Sequence, residues 1–530
     1  MSHPRERSQS FDDGDCQTVD ANQPLRQPPF KPWHQSLARS YHRANMSSAM
    51  PVVCFNSSLR KTLISILALL GVGAIGSASA QAQTFTRIAS FDGANGAFVY
   101  GPLSQGPDGR LYSAANGGGV ENCGVIASGC GTIFSVNQHG ELKLLHTFCL
   151  EDGCPDGASP FGGLLWTSNG YFYATTGNGG VSGPGCASGC GTVYRLNSAG
   201  RFETVQNNFS WDGVGAGPES PLVQTLDGSL YGTTIEGPVF AIELDGQFLL
   251  TINLGDYGSS FPLIQGTDGN FYGASYYGVQ NGCACGVVFE LTSFGNLITL
   301  HAFSGPDGEF PNGPLIQALD GSLYGTTAQG GSEVHCDCGT IFRIDPNGAF
   351  TSLHSFHGRS DGRAPTGLIQ ATDGDFYGVT AGGGNGCGLN TCGTVFGMNQ
   401  AGQVSTLHVF PNSENVQPSS LLQATDGNLY GTTVRGGDDN DGSIFRMDIG
   451  LSPFVALLRY SGRIGDTGGI LGQGFMTASK VELNGTPIKF KVISDTLIEV
   501  SVPEGAASGY VTVTTDSGIL TSNKPFQVIP

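Results

Sequence analysis

The stretch LIQATDGDFYGVT at 368–380 has six relatives along the chain. They are LSQGPDGRLYSAA (103–115), LLWTSNGYFYATT (164–176), LVQTLDGSLYGTT (222–234), LIQGTDGNFYGAS (263–275), LIQALDGSLYGTT (315–327) and LLQATDGNLYGTT (421–433). A recurrence of about 50 residues is the signature of a propeller or a solenoid, in which one supersecondary unit is copied and stacked. No other feature restricts the fold so strongly.

Each copy reads as four strands. Strand A is an apolar run such as PLIQA. An Asp-Gly dipeptide then turns the chain, because glycine accepts the positive φ of a tight hairpin. Strand B is aromatic and β-branched, as in SLYGTT, and suits a pleated surface. After a glycine-rich loop of variable length comes strand C, GTIFRID (339–345), with its relatives GTIFSVN, GTVYRLN, GVVFELT, GTVFGMN and GSIFRMD. Strand D follows a short turn, as in FTSLHSF (350–356). The last copy lacks strand D, while an orphan of the same type, TFTRIASF (84–91), precedes the first. The orphan can complete the last blade and close a ring, leaving no open edge. The fold class expected is therefore all-β: a seven-bladed β-propeller over 83–450, closed by its N-terminal strand.

After 450 the repeat stops. Alternating apolar residues with frequent turn signals in VELNGTPIKFKVISDTLIEVSVP and GYVTVTTDSG predict a small β-sandwich over 451–530. The residues GQGF, LNGTPIKF and ISDTLIEVSVPEGAASGYVTVTTDSG resemble the IPT/TIG immunoglobulin-like family over about 455–528, although RYSGRIGDTGGI replaces its usual proline-glycine entry. Such a resemblance implies a spacer or contact module. The pattern DGNLYGTT…GG…GTIF resembles the bacterial GloVer-type tandem repeat, and the strand order A to D is similar to that of NHL-type propellers. The GloVer resemblance implies an extracellular, often surface-associated protein and no known reaction.

Arg60 and Lys61, the apolar run TLISILALLGVGAIG (62–76) and the small residues SASAQA (77–82) form the three parts of a secretory signal peptide. The run is shorter than the roughly 20 residues that span a bilayer. The signal is placed at 46–82, with Met46 or Met50 as its start. Residues 1–45, polar and proline-rich, are then a disordered leader or a mis-assigned start. Removing this net-basic segment leaves a remainder more acidic than the −19 of the whole chain. Such a surface repels phosphate backbones, so no nucleic-acid partner is expected, and no later segment is apolar enough to cross a membrane.

Twelve cysteines follow the signal. Ten lie in B–C loops as Cys123/Cys130, Cys186/Cys190, Cys283/Cys285, Cys336/Cys338 and Cys387/Cys392; Cys149/Cys154 lies in a D–A loop. Loops hold both cysteines or neither, and export favours disulfides. The Cys-x-Cys pairs are near the short limit of disulfide geometry, which leaves bonds between neighbouring blades open for them. Zinc at HCDC (335–338) would need about four converging ligands, and His335 has no counterpart in the other copies. DDNDG (438–442) lacks the register and distal glutamate of a calcium loop. No metal and no cofactor are expected.

Strands alternate in direction, so the short A–B and C–D turns share one face and the variable B–C and D–A loops the other. Binding residues usually sit on such variable loops. The candidates are Asp152, Asp156, Trp211, Asp212, Asp256, Tyr257, Asp307, Asp361 and Arg363 in D–A loops, with Tyr276 and Tyr277 in a B–C loop. Aromatic rings and carboxylates can stack on and hydrogen-bond to sugars; the plainer reading is solvated loop residues. His146, His301, His354 and His408 share one position on the outermost strand and read as scaffold. No nucleophile motif appears, and no catalytic residue is assigned. The expectation is a secreted or cell-surface binding or structural protein, its ligand a polysaccharide, another envelope component or a surface protein. The alternative is a carbohydrate-active lyase or hydrolase using acidic residues of the same face.

Overall fold

In the computed structural model, the described residues are 83–529 apart from 121–127, 162, 211–214, 226, 236, 256–261, 279–283, 333–335, 389–391 and 415. The leader and the signal peptide lie outside them. So do Trp211, Asp212, Asp256, Tyr257, Cys123, Cys283 and His335.

Seven antiparallel sheets follow the predicted strand order. Blade 6 is the most complete, with strand A at Arg363–Gln370, B at Phe376–Gly382, C at Thr394–Met398 and D at Val404–Val409. In blades 1 to 5 the innermost strand is short or split, as in Glu309–Pro311 and Ile316–Gln317 of blade 5. Blade 7 takes its strand D from the chain start. Thr84–Ser90 pairs with Ser443–Asp448 from Thr84↔Asp448 to Ser90↔Ser443, with a bulge between Arg87 and Ala89. The ring is closed as the orphan strand requires.

The repeat letters have identifiable structural jobs. In each Asp-Gly turn the carboxylate accepts the amide two residues on, as in Asn270 N to Asp268 at 3.1 Å. The same aspartate accepts the hydroxyl of the strand-B tyrosine: Tyr112 to Asp108 at 2.7 Å, Tyr377 to Asp373 at 2.7 Å, Tyr430 to Asp426 at 2.8 Å. The glutamine ending strand A reaches the preceding blade's turn. Gln317, Gln370, Gln423 and Gln105 accept the amides of Thr267, Leu319, Thr372 and Thr425 at 2.9–3.0 Å. The last of these joins blade 1 to blade 7 and closes the ring a second time. Phenylalanines of strand C (Phe134, Phe240, Phe289, Phe342, Phe396, Phe445) are wholly buried between blades. Burying each such ring stabilises by about 2–3 kcal/mol, which holds the wedges together.

The C-terminal module is the predicted sandwich. One sheet contains Ala456–Leu457, Thr467–Leu471, Leu497–Ser501 and Phe490–Ser494; the other contains Thr486–Pro487, Lys480–Leu483, Val511–Thr515 and Gly518–Thr521. Val455, Ile470, Phe475, Val481, Ile498 and Val513 fill the space between them. The module meets the propeller at A–B turns. Thr496 Oγ1 donates to the Pro107 carbonyl at 2.8 Å, and the Phe454 amide to that of Thr425 at 3.1 Å. The opposite face, with the variable loops, is left clear of these contacts.

Disulfides join Cys149–Cys154, Cys186–Cys190, Cys336–Cys338 and Cys387–Cys392. The HCDC pair thus bonds within its own loop, not across blades. Cys130 and Cys285 are also disulfide-bonded.

Candidate ligand-binding site

The D–A loops converge near the ring axis and then turn into strand A. At their ends a proline (Pro160, Pro218, Pro311, Pro365, Pro418) packs into the blade. The following residue faces the axis: Phe161, Glu219, Asn312, Thr366 and Ser419, with Tyr100 in the corresponding place after Val99. Together with residues at the ends of strand B they line a cavity of about 510 Å³ to which all seven blades contribute. Its wall is mostly apolar and includes Pro102, Pro221, Pro262, Pro314, Leu368, Val379 and Leu421. Tyr100 and Ile235, 42% and 44% exposed, mark the opening on the variable-loop face.

The polar members of this ring are mostly engaged. Asn312 Nδ2 donates to the Pro365 carbonyl at 2.9 Å, Thr366 Oγ1 to that of Ser419 at 2.9 Å, and Ser419 Oγ to that of Val99 at 2.8 Å. Each bond crosses to the next blade. Tyr100 and Phe161 stack with centroids 5.3 Å apart and planes 3° from parallel. Glu219 differs. It is the single charged residue among the described lining residues, and among the described residues no hydrogen bond or ion pair reaches its carboxylate. Burial pushes its carboxyl up to about 7. Gly177 makes room for it, since a β-carbon there would sit 2.5 Å from Oε1.

The expected site residues fall into different places. Asp156, Asp307 and Asp361 lie at the blade seams, not at the axis. Their Oδ2 atoms lie 2.9, 2.8 and 2.9 Å from Nε2 of His146, His301 and His354. Their Oδ1 atoms accept the amides of Cys149, Ser304 and His357 at 2.8–3.1 Å. Their own carbonyls accept Thr192, Thr340 and Thr394 hydroxyls of the next blade's strand C at 3.4, 3.2 and 2.9 Å. One aspartate thereby ties strand D of one blade to strand C of the next. His146 and His301 stack on Phe202 and Phe350 of the following blade at 3.8 and 3.5 Å. These three histidines make seam contacts, and burial pushes His301 below the ordinary imidazole value against the opposing pull of Asp307. In the seam between blades 6 and 7, Glu414 stands where these aspartates stand and pairs with Arg87 at 3.3 Å. Among the described residues His408 Nε2 is then buried without a partner, its ring stacked on Phe85 at 3.8 Å.

Asp152 is exposed and Arg363 begins strand A of blade 6. Tyr276 and Tyr277 do come together with a third ring. Phe310 stacks on Tyr276 at 4.9 Å, and Tyr277, 57% exposed, meets Tyr276 edge-on at 4.7 Å. Sequence reasoning missed Glu219, Tyr100 and Phe161. The available signal was the residue after the D–A proline, a position that varies while its neighbours repeat.

No curated protein sequence matches the chain. Among solved structures it is similar to a streptogramin B lyase, at 15% identity and TM-score 0.48, covering 70% of this chain and 99% of that one. It is also similar to virginiamycin B lyase from Staphylococcus aureus, at 12% identity and TM-score 0.47, covering 69% and 99%. The extracellular domain of a hybrid two-component system of B. thetaiotaomicron matches at 12% identity and TM-score 0.46, over 85% of this chain and 55% of that one. The IPT/TIG domain family matches residues 456–528. The Gloeobacter/Verrucomicrobia repeat matches 69–239 and 234–389, more than half of the chain, and the protein belongs to that repeat family, as a seven-bladed propeller carrying an IPT/TIG module.

Proposed function

We propose that the protein is an exported binding protein that takes its ligand into the axial cavity from the variable-loop face. The observation that carries this reading is the contrast inside the cavity: apolar walls from every blade, polar neighbours already bonded, and one carboxyl with no partner among the described residues. Concave, mostly apolar sites with few convergent polar groups are the usual form of a small-molecule site. The ligand this selects is largely apolar and carries one cationic or hydrogen-bond-donating group. Tyr276, Tyr277 and Phe310 on the same face add a stacking surface for an envelope glycan. Export is supported by the disulfides and by the sequence of the signal segment.

Glu219 near neutrality also favours a second reading, a hydrolase or lyase with Glu219 as general acid. Glycoside cleavage needs a second carboxylate within about 10 Å, and the described lining holds none. Binding is therefore the reading preferred.

The test is fluorescence titration with the apolar probe N-phenyl-1-naphthylamine. Ile235→Trp at the cavity mouth should weaken uptake roughly tenfold or more, the cost of about 1.4 kcal/mol of lost contact. Uptake unchanged by Ile235→Trp and by Leu421→Trp would remove the axial cavity as the site.

A further inference from the structure

The seam between blades 5 and 6 departs from its sister seams. Blades 1 and 4 each place one imidazole against one carboxylate, His146 with Asp156 and His301 with Asp307. Three residues after that histidine they carry Cys149 and Ser304; blade 5 carries His357. Its Nδ1 lies 3.1 Å from Asp361 Oδ2, while His354 Nε2 lies 2.9 Å from the same oxygen. The three donor atoms all fall within 4.8 Å of one another. One imidazole makes the seam tie in blades 1 and 4, so the second is peculiar to this seam.

A second departure opens the site. His146 and His301 are covered by the stacked rings of Phe202 and Phe350. The corresponding residue of blade 6 is Val404, which offers His354 no aromatic lid. His354 and His357 also line a polar cleft of about 560 Å³ on the blade 4 side, with Asp307, Ser332 and Ser355. The side chains of His354, His357 and Asp361 are 19%, 49% and 14% exposed, so the carboxylate is held from behind while one side faces solvent.

We propose that His354, His357 and Asp361 form a binding site for one divalent transition-metal ion of the zinc type. Two imidazoles and a carboxylate are a ligand set for borderline metals, and three protein ligands leave positions for water or a ligand group. The donor atoms already stand about as far apart as ligands around such an ion. The metal takes the place now crossed by hydrogen bonds; each neutral imidazole then carries its proton on the nitrogen away from the metal. The His357 amide donates to Asp361 Oδ1 at 2.8 Å and holds the carboxylate in place while Oδ2 meets the two rings. The site is separate from the axial cavity and does not depend on how that cavity is used.

The experiment is calorimetric titration of the tag-free, disulfide-intact protein with zinc chloride, with visible spectroscopy of the cobalt(II) form beside it. One equivalent should bind, and His357→Gln should weaken it roughly tenfold or more. His301→Gln should leave it unchanged. On the unaltered protein, zinc should protect His357 from carbethoxylation, read by peptide mass spectrometry. Absence of binding at roughly 100 µM zinc, or equal affinity in His357→Gln, or zinc that leaves His357 as reactive as before, would each overturn the proposal.

Discussion

The rim seams and the axial ring are made from the same repeat, yet they are chemically opposite. At the rim, His–Asp–Thr ties recur between blades 1 and 2, 4 and 5, and 5 and 6, the His–Asp distances all 2.8–2.9 Å. At the axis the residue after the proline, or after Val99 in blade 1, changes from blade to blade: Tyr100, Phe161, Glu219, Asn312, Thr366, Ser419. Repetition marks the groups that hold wedges together, because every seam poses the same packing problem. Variation marks the groups that meet around one shared space, which on the proposed reading a single ligand contacts from several blades at once. Of the acidic loop residues that looked like candidates for binding, Asp156, Asp307 and Asp361 lie on the repeated side of this division, and Glu219 lies on the varied side.

Removal of residues 83–91 is the most drastic way to break the comparison, since it opens a seam. It strips the last blade of its outer strand and of Phe85 and Phe91, which pack on Phe445 and Phe134. The loss should be roughly 5 kcal/mol or more, and cooperative denaturant unfolding should broaden or vanish. A sharp, unshifted transition would mean that the closing strand contributes little.

A smaller effect is expected at an intact seam. Asp307→Ala leaves His301 half-buried without its carboxylate and frees the Ser304 amide. The expected cost is about 1–3 kcal/mol in urea unfolding, with the probe affinity of the axial cavity unchanged. A loss of probe binding with unchanged stability would move Asp307 from scaffold to site.

The axial carboxyl gives the smallest change and the most specific one. A carboxyl whose folded value is raised to about 7 favours the folded state while protonated, so its contribution is full at acid pH and is lost as pH rises from the ordinary carboxylate range through about 7. Glu219→Gln should therefore be more stable than the parent by roughly 2 kcal/mol at pH 8 and equal to it near pH 4. Parallel stability–pH curves for the two proteins would show that Glu219 is solvated in solution.

Much of this division was readable beforehand. The Asp-Gly turns, the strand order and the orphan strand are local patterns, and local patterns survive without coordinates. The strand-D histidines could be read as one repeated position because they share a register on an outer strand. Their aspartate partners could not be recognised, since His146 and Asp156 are ten residues apart, His301 and Asp307 six, and His354 and Asp361 seven. Loop spacing of that kind carries no period. His357 was hidden for the same reason: only the folded loop turns its ring back onto the carboxylate that His354 already holds.

The order of residues alone determined that this chain makes seven four-stranded units, that the orphan strand must join the last of them, and that the cysteines fall in pairs within individual loops. Those facts follow from hydrogen bonding and burial within one unit and its immediate neighbour. Which side chains surround the axis, and which carboxylate there is left without a partner, was decided only when seven units closed. Convergence at the centre depends on the angle of every wedge, and no short stretch of sequence encodes the sum of those angles.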